Sequence, residues 1–154
     1  MKIYEITNKS NNIPPEHETI KIPNNYVRLF HQTSEENLKN IKQHGIQFNK
    51  AKGIEGPKGI WATEPNDGAG FYGNVTEVPT VEFAIPKKEW EATFPAIQRD
   101  IKPNEIIAIH YPWHSTVRYF IKHNMLDKVK NGEYDYLLDN DDDYSKAIHY
   151  IKST

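Results

Sequence analysis

Residues 26–46 read YVRLFHQTSEENLKNIKQHGI, and the local signals change character twice within this stretch. Tyr26-Val27-Arg28-Leu29-Phe30 is rich in aromatic and β-branched residues, which favours a strand. Gln32-Thr33-Ser34 is a polar break. Thr33 and Glu36 stand at capping-box spacing, so a hydroxyl and a carboxylate can satisfy the free N–H groups at the start of a helix. Leu38 and Ile41 then recur at helical spacing, and Gly45 supplies a left-handed stop. A strand that runs into a capped helix leaves His31 at the strand's carboxyl end, beside N–H donors that the helix does not pair. Such a corner suits a ligand better than a core.

Working outward, the pattern predicts a short edge strand over residues 2–6, with residues 1–25 as an extended segment around a polar loop that carries Pro14-Pro15. Residues 46–48 suggest a brief strand after the helix, and 59–63 (GIWAT) a buried one. Residues 80–85 alternate, with Val81, Phe83 and Ile85 on one face and Glu82 on the other, which makes Glu82 a solvent-facing backup carboxylate. A short helix is expected over 87–91, a strand over 105–111 (EIIAIHY), a helix from 114 to 124 capped by His114-Ser115, and a last helix over 144–151 with Ala147, Ile148 and Ile151 inward. Short strands without a strand–helix–strand series argue for one α+β domain spanning 1–154.

Composition narrows the function classes. The chain has 154 residues and a formal charge of -2, so it lacks the basic field that non-specific duplex binding needs. Lys50, Lys52 and Lys58, with the lysines of the 35–45 helix, are the one local basic cluster, so a nucleic-acid target stays beside a protein target. There is no cysteine, which removes disulfides and thiolate metal sites and fits a reducing compartment. No apolar run reaches the ~18–20 residues of a membrane span, and residues 1–5 (MKIYE) show no signal-peptide core. The expectation is a cytoplasmic, soluble protein.

His31, Thr33, Trp61, Phe71, Tyr72 and Glu105 all fall at strand ends or in adjoining loops. The run His31-Gln32-Thr33-Ser34, followed by Glu36-Asn37-Leu38, Ile41 and His44-Gly45-Ile46, resembles the His-x-Thr strand–helix start of ADP-ribosyltransferases. The branch it resembles holds the poly(ADP-ribose) polymerases, the DNA-modifying toxins and the RNA 2′-phosphotransferases. Gly59-Ile60-Trp61-Ala62-Thr63 is similar to the family's Gly-x-Tyr-x-Thr/Ser strand, with Trp61 in place of the Tyr. Ala69-Gly70-Phe71-Tyr72-Gly73, the strand 81–85 and Asn104-Glu105-Ile106-Ile107 complete the order over residues 26–111.

The resemblance implies a split, two-sheet fold with short peripheral helices and NAD as substrate, used without a metal. It implies that His31 bonds the adenosine ribose, that Thr33 supports the nicotinamide end, and that Trp61 and Tyr72 border the cofactor, with Tyr72 stacked on nicotinamide. It implies that Glu105 bonds the nicotinamide ribose and is the catalytic acid residue. The activity implied is mono-ADP-ribosyl transfer to a protein or nucleic acid, in a toxin-like or phage-effector setting. The alternative is a binding module on the same scaffold that has lost turnover.

Plainer readings stand beside these. His31 is also read as a hydrogen-bonded histidine at a sheet edge, Trp61 as core packing, and Glu105 as a strand entry after Pro103. His110 and His114 are four apart, but Pro112 breaks a shared helix and no third ligand has suitable spacing. Asp139–Asp143 lacks the glycine and the glutamate of a calcium loop and reads as a solvated acidic turn.

Overall fold

The computed structural model of the chain describes residues 4–5, 21–50, 58–65 and 78–154. In chain order its elements are β1 (Tyr4–Glu5), β2 (Tyr26–Gln32), α1 (Glu35–His44), β3 (Ile60–Trp61), β4 (Thr80–Pro86), α2 (Lys87–Thr93), β5 (Ala96–Ile97), β6 (Ile106–His110), α3 (Trp113–Lys122), α4 (Leu126–Lys130) and α5 (Asp143–Lys152). Single 3₁₀ turns occupy Phe48–Lys50, Pro103–Glu105 and Asp135–Leu137. The class is mixed α+β, with two sheets.

The larger sheet has the order β1-β6-β4-β2, parallel between β1 and β6 and antiparallel elsewhere. The smaller pairs β3 with β5, antiparallel, through Ile60 with Ile97 and Trp61 with Ala96. One segment touches both sheets. Thr63 bonds Phe30 on the free edge of β2, N–H to carbonyl in both directions at 2.9 and 3.0 Å, while residues 60–61 just before it pair with β5. The sheets therefore part at the carboxyl end of β2.

Why these residues form these elements follows from burial. β4 sits between two neighbours and is buried at six of its seven residues, because both faces of the sheet are covered. One face packs Leu29, Val81, Phe83, Ile85, Ile106 and Ile109 against Leu38 and Ile41 of α1, Trp90 of α2, and Ile60 and Ile97 of the small sheet. A bulge between β4 and β6 pairs Glu82 with Ala108 but Phe83 with Ile106, leaving Ile107 unopposed. Ile107 and Ala108 thereby both join Ala84 on the opposite face. A second core is helical, with Val117, Phe120, Val129, Ala147, Ile148 and Ile151 at its centre. The spacing of Ala147, Ile148 and Ile151 is that of one helix stripe, as expected from the sequence. Tyr111 packs on the first core and Trp113 on the second, and their rings stack at 5.3 Å, tying the two together.

The helix start differs from the expectation by one residue. Ser34, not Thr33, is the N-cap of α1, its hydroxyl accepting from the Asn37 N–H at 3.3 Å. Thr33 is kept in the extended chain by its own N–H, which donates to the Pro79 carbonyl at 3.0 Å. The stop at Gly45 has a φ of 76°, and its N–H donates to the Ile41 carbonyl at 2.8 Å. The brief strand expected at 46–48 is one bridge, Ile46 with Ile101, followed by a 3₁₀ turn. The strand expected over 105–111 loses both ends, since Glu105 belongs to the turn before it. The helix expected from 114 begins at Trp113, and no side chain caps it. β5 has no counterpart in the sequence reading, because two residues give no periodicity to read.

Candidate functional site

His31 is the penultimate residue of β2, where the two sheets part. Leu29, two residues back, lies in the first core, so strand alternation puts the imidazole on that face, next to the chain of β3. His31 Nδ1 bonds the Trp61 carbonyl oxygen at 2.7 Å. A carbonyl only accepts, so Nδ1 carries the proton and Nε2 presents a lone pair. Nε2 has no hydrogen-bond partner among the described residues. Burial lowers the His31 pKa, outweighing the Trp61 carbonyl, which raises it. The ring is thus a neutral acceptor of fixed orientation at the mouth of a fork, able to receive a ligand hydroxyl or N–H.

The other expected site residues are placed unevenly. Thr33 follows two residues later and is half-buried. Trp61 corrects the plain reading of it as core: Ile60 and Ala62 point into the first core, so alternation turns the intervening indole outward, and it is 38% exposed. Phe71 and Tyr72 lie outside the described residues.

Glu105 sits at the head of β6, the end remote from His110. His31 is level with Val81 and Ile109, while Ile106 is level with Phe83 and Leu29. Glu105 is therefore two strand spacings across and about three residues along from His31, roughly 14 Å between Cα atoms. The structure therefore does not bring Glu105 and His31 together, although the sequence groups them in one site. Both carboxylate oxygens of Glu105 are engaged. Arg99 donates from Nη1 to Oε1 at 2.7 Å and from Nη2 to Oε2 at 2.8 Å, and the Lys102 N–H donates to Oε1 at 2.9 Å. Arg99 also grips Glu89 of α2, from Nε at 2.6 Å and Nη2 at 3.0 Å. Burial alone would raise the Glu105 carboxyl, but the bonds from Arg99 and Lys102 outweigh it and hold the pKa low. The same two acids raise the pKa of Arg99. Glu105 is an ionised carboxylate held in one position by a forked cation.

Sequence reasoning missed a second polar cluster. Glu82 is 1% exposed rather than solvent-facing, because the face opposite the first core is covered as well. Its two oxygens meet Arg28 Nη1 and, at 2.7 Å, His110 Nε2, which donates. Burial lowers the His110 pKa although Glu82 opposes it, so the imidazole is neutral beside a compensated Arg–Glu pair. The available signal was one ionisable residue inside each of three short apolar runs, VRLF, VEFAI and IIAIH, with opposite charges in the first two. Thr80 places a fully buried hydroxyl on this face, opposite His110.

His110 and His114 engage different partners. His114 Nδ1 accepts the Tyr111 N–H at 3.0 Å, and its ring packs edge-on against Trp113 at 4.3 Å. Burial, with smaller contributions from His110 and Arg118, drives its pKa down to about 2, so it is a neutral core ring. Among the described residues no group of three or more His, Asp or Glu could hold a metal ion, and no helix is long and apolar enough to cross a membrane. Asp142 of the acidic run caps α5, its carboxylate accepting the Ser145 N–H at 2.9 Å. No family model, curated protein or solved structure matches the chain.

Proposed function

We propose that this chain is an ADP-ribosyltransferase-like domain that binds NAD and transfers ADP-ribose to a macromolecular acceptor. The observation that carries this reading is the His31 ring, fixed through the Trp61 carbonyl at the point where the two sheets part, with Nε2 offered as an acceptor. A ribose hydroxyl is the donor such a group would take. The exposed indole of Trp61 suits the flat face of a base or of nicotinamide. In the reaction the bond from ribose C1′ to the nicotinamide nitrogen breaks, its electron pair leaves with nicotinamide, and an acceptor nucleophile attacks C1′ and loses its proton. Positive charge develops on the ribose on the way. A fixed, ionised carboxylate such as Glu105 would stabilise it, and Arg99 acts as the positioning residue that keeps that carboxylate charged.

The same clamp favours a second reading. A carboxylate whose oxygens are both taken by a guanidinium is already compensated, which suits a module that holds an ADP-ribose-like ligand without turnover. Incubation with labelled NAD separates the two, with Glu105→Gln alongside. Nicotinamide release that falls at least a hundredfold in the variant supports the transferase. NAD binding without release supports the module, and the absence of both overturns the proposal.

A further inference from the structure

The C-terminal helical layer exposes three tyrosine rings that are linked to one another beneath the surface. Tyr119 is 50% exposed, Tyr136 74% and Tyr144 51%. They are joined through two more deeply set rings. Phe120 lies 6.1 Å from Tyr119, 5.8 Å from Tyr134 and 6.4 Å from Tyr144, and Tyr134 lies 6.5 Å from Tyr136. Phe120 is a core residue of the helical cluster, so the row is anchored rather than loose. Rings set in this way present a large, rigid contact area at little entropic cost, the property that enriches Tyr in protein-recognition surfaces.

The charge of the same surface selects its occupant. Residues 133–144, EYDYLLDNDDDY, carry six carboxylates and no lysine or arginine. Asp135 is paired with Lys152 at 2.6 Å, and Asp142 caps α5. Glu133 and Asp139 have no ion pair among the described residues, and Asp141 and Asp143 have only a longer-range attraction to Lys146, which itself pairs with Glu35. Phosphate backbones are repelled by such a surface, whereas guanidinium and ammonium groups find both carboxylates and ring faces.

We infer that this tyrosine row is a docking surface for a cationic, arginine-bearing polypeptide segment. It does not rest on the NAD reading. The test measures fluorescence anisotropy of a labelled peptide of alternating arginine and glycine, with a glutamate-for-arginine peptide and a thymidine 15-mer as controls. The protein is tested as wild type, Tyr136→Ala/Tyr144→Ala and Asp139→Asn/Asp141→Asn, with Tyr136→Ala alone as the variant least able to disturb folding. Binding of the arginine peptide only, weakened at least fivefold by each double variant and measurably by Tyr136→Ala, is the expected result. Three results overturn it: equal binding by the tyrosine variants, preference for the oligonucleotide, or a wild-type dimer in light scattering that the tyrosine substitutions abolish. NAD binding at His31 stays unchanged in all these variants, so failure here is distinct from failure of the proposed function.

Discussion

At the scale of single residues, one buried imidazole and one forked guanidinium set the chemistry of the candidate site. His31 is neutral because burial lowers its pKa, so between that value and about 6.5 the unfolded chain binds a proton that the folded chain does not. Stability is accordingly undiminished above about pH 6.5 and declines as the pH falls through that window, and NAD affinity should be flat above it. Titrations of binding at a series of pH values check this. Glu105 behaves in the opposite sense to a raised group. Its folded pKa is depressed, so its contribution is complete above the unfolded value of about 4.3 and disappears as the pH drops through the folded value. Glu105→Gln should flatten that part of the acid limb in urea denaturation. Arg99→Ala, which strands two carboxylates at a partly exposed site, should cost about 1–2 kcal/mol. Arg99→Lys should recover less than half of it, because an ammonium cannot grip both acids with a planar fork.

At the scale of elements, a glycine and a buried carboxylate are the sharpest tests. A Cβ on Gly45 would strike the Ile101 carbonyl, and its φ of 76° is strained for other residues, so Gly45→Ala should lose the Ile46–Ile101 bridge and cost about 3 kcal/mol. Glu82→Ala leaves Arg28 and His110 facing a hole on a covered sheet face and should cost about 3–5 kcal/mol by chemical denaturation. Much of this layer was legible beforehand. β2, α1, β4, α2 and α5 follow from aromatic and β-branched runs, helical spacing and stop residues that act locally. What escaped was set by distant partners. Pro79 claims the Thr33 N–H and passes the cap to Ser34, and β5 exists only because β3 is there to pair with it. Glu82 reads as a solvent-side residue until a second covered face supplies it with Arg28 and His110.

At the scale of the whole molecule, named contacts tie the sheet core to the helical one. The Tyr111–Trp113 stack connects them, and Lys146 of α5 reaches Glu35 of α1 at 2.8 Å across the surface. The ion pair is exposed, and Lys146→Ala should change stability by less than about 1 kcal/mol. Trp113→Ala should cost roughly 3 kcal/mol and separate the far-ultraviolet and fluorescence melting curves, as the helical layer uncouples from the sheet. The split between sheets at the end of β2 is the feature on which the proposed function rests, and it was legible only as a strand running into a helix, since the partner carbonyl at Trp61 is thirty residues away. The most direct measurement is calorimetric titration of NAD into the wild-type protein and into His31→Ala. Binding to the wild type, weakened at least tenfold in a variant that melts within a few degrees of it, is the result expected. Equal affinity in the two proteins, or no heat from either, would contradict it.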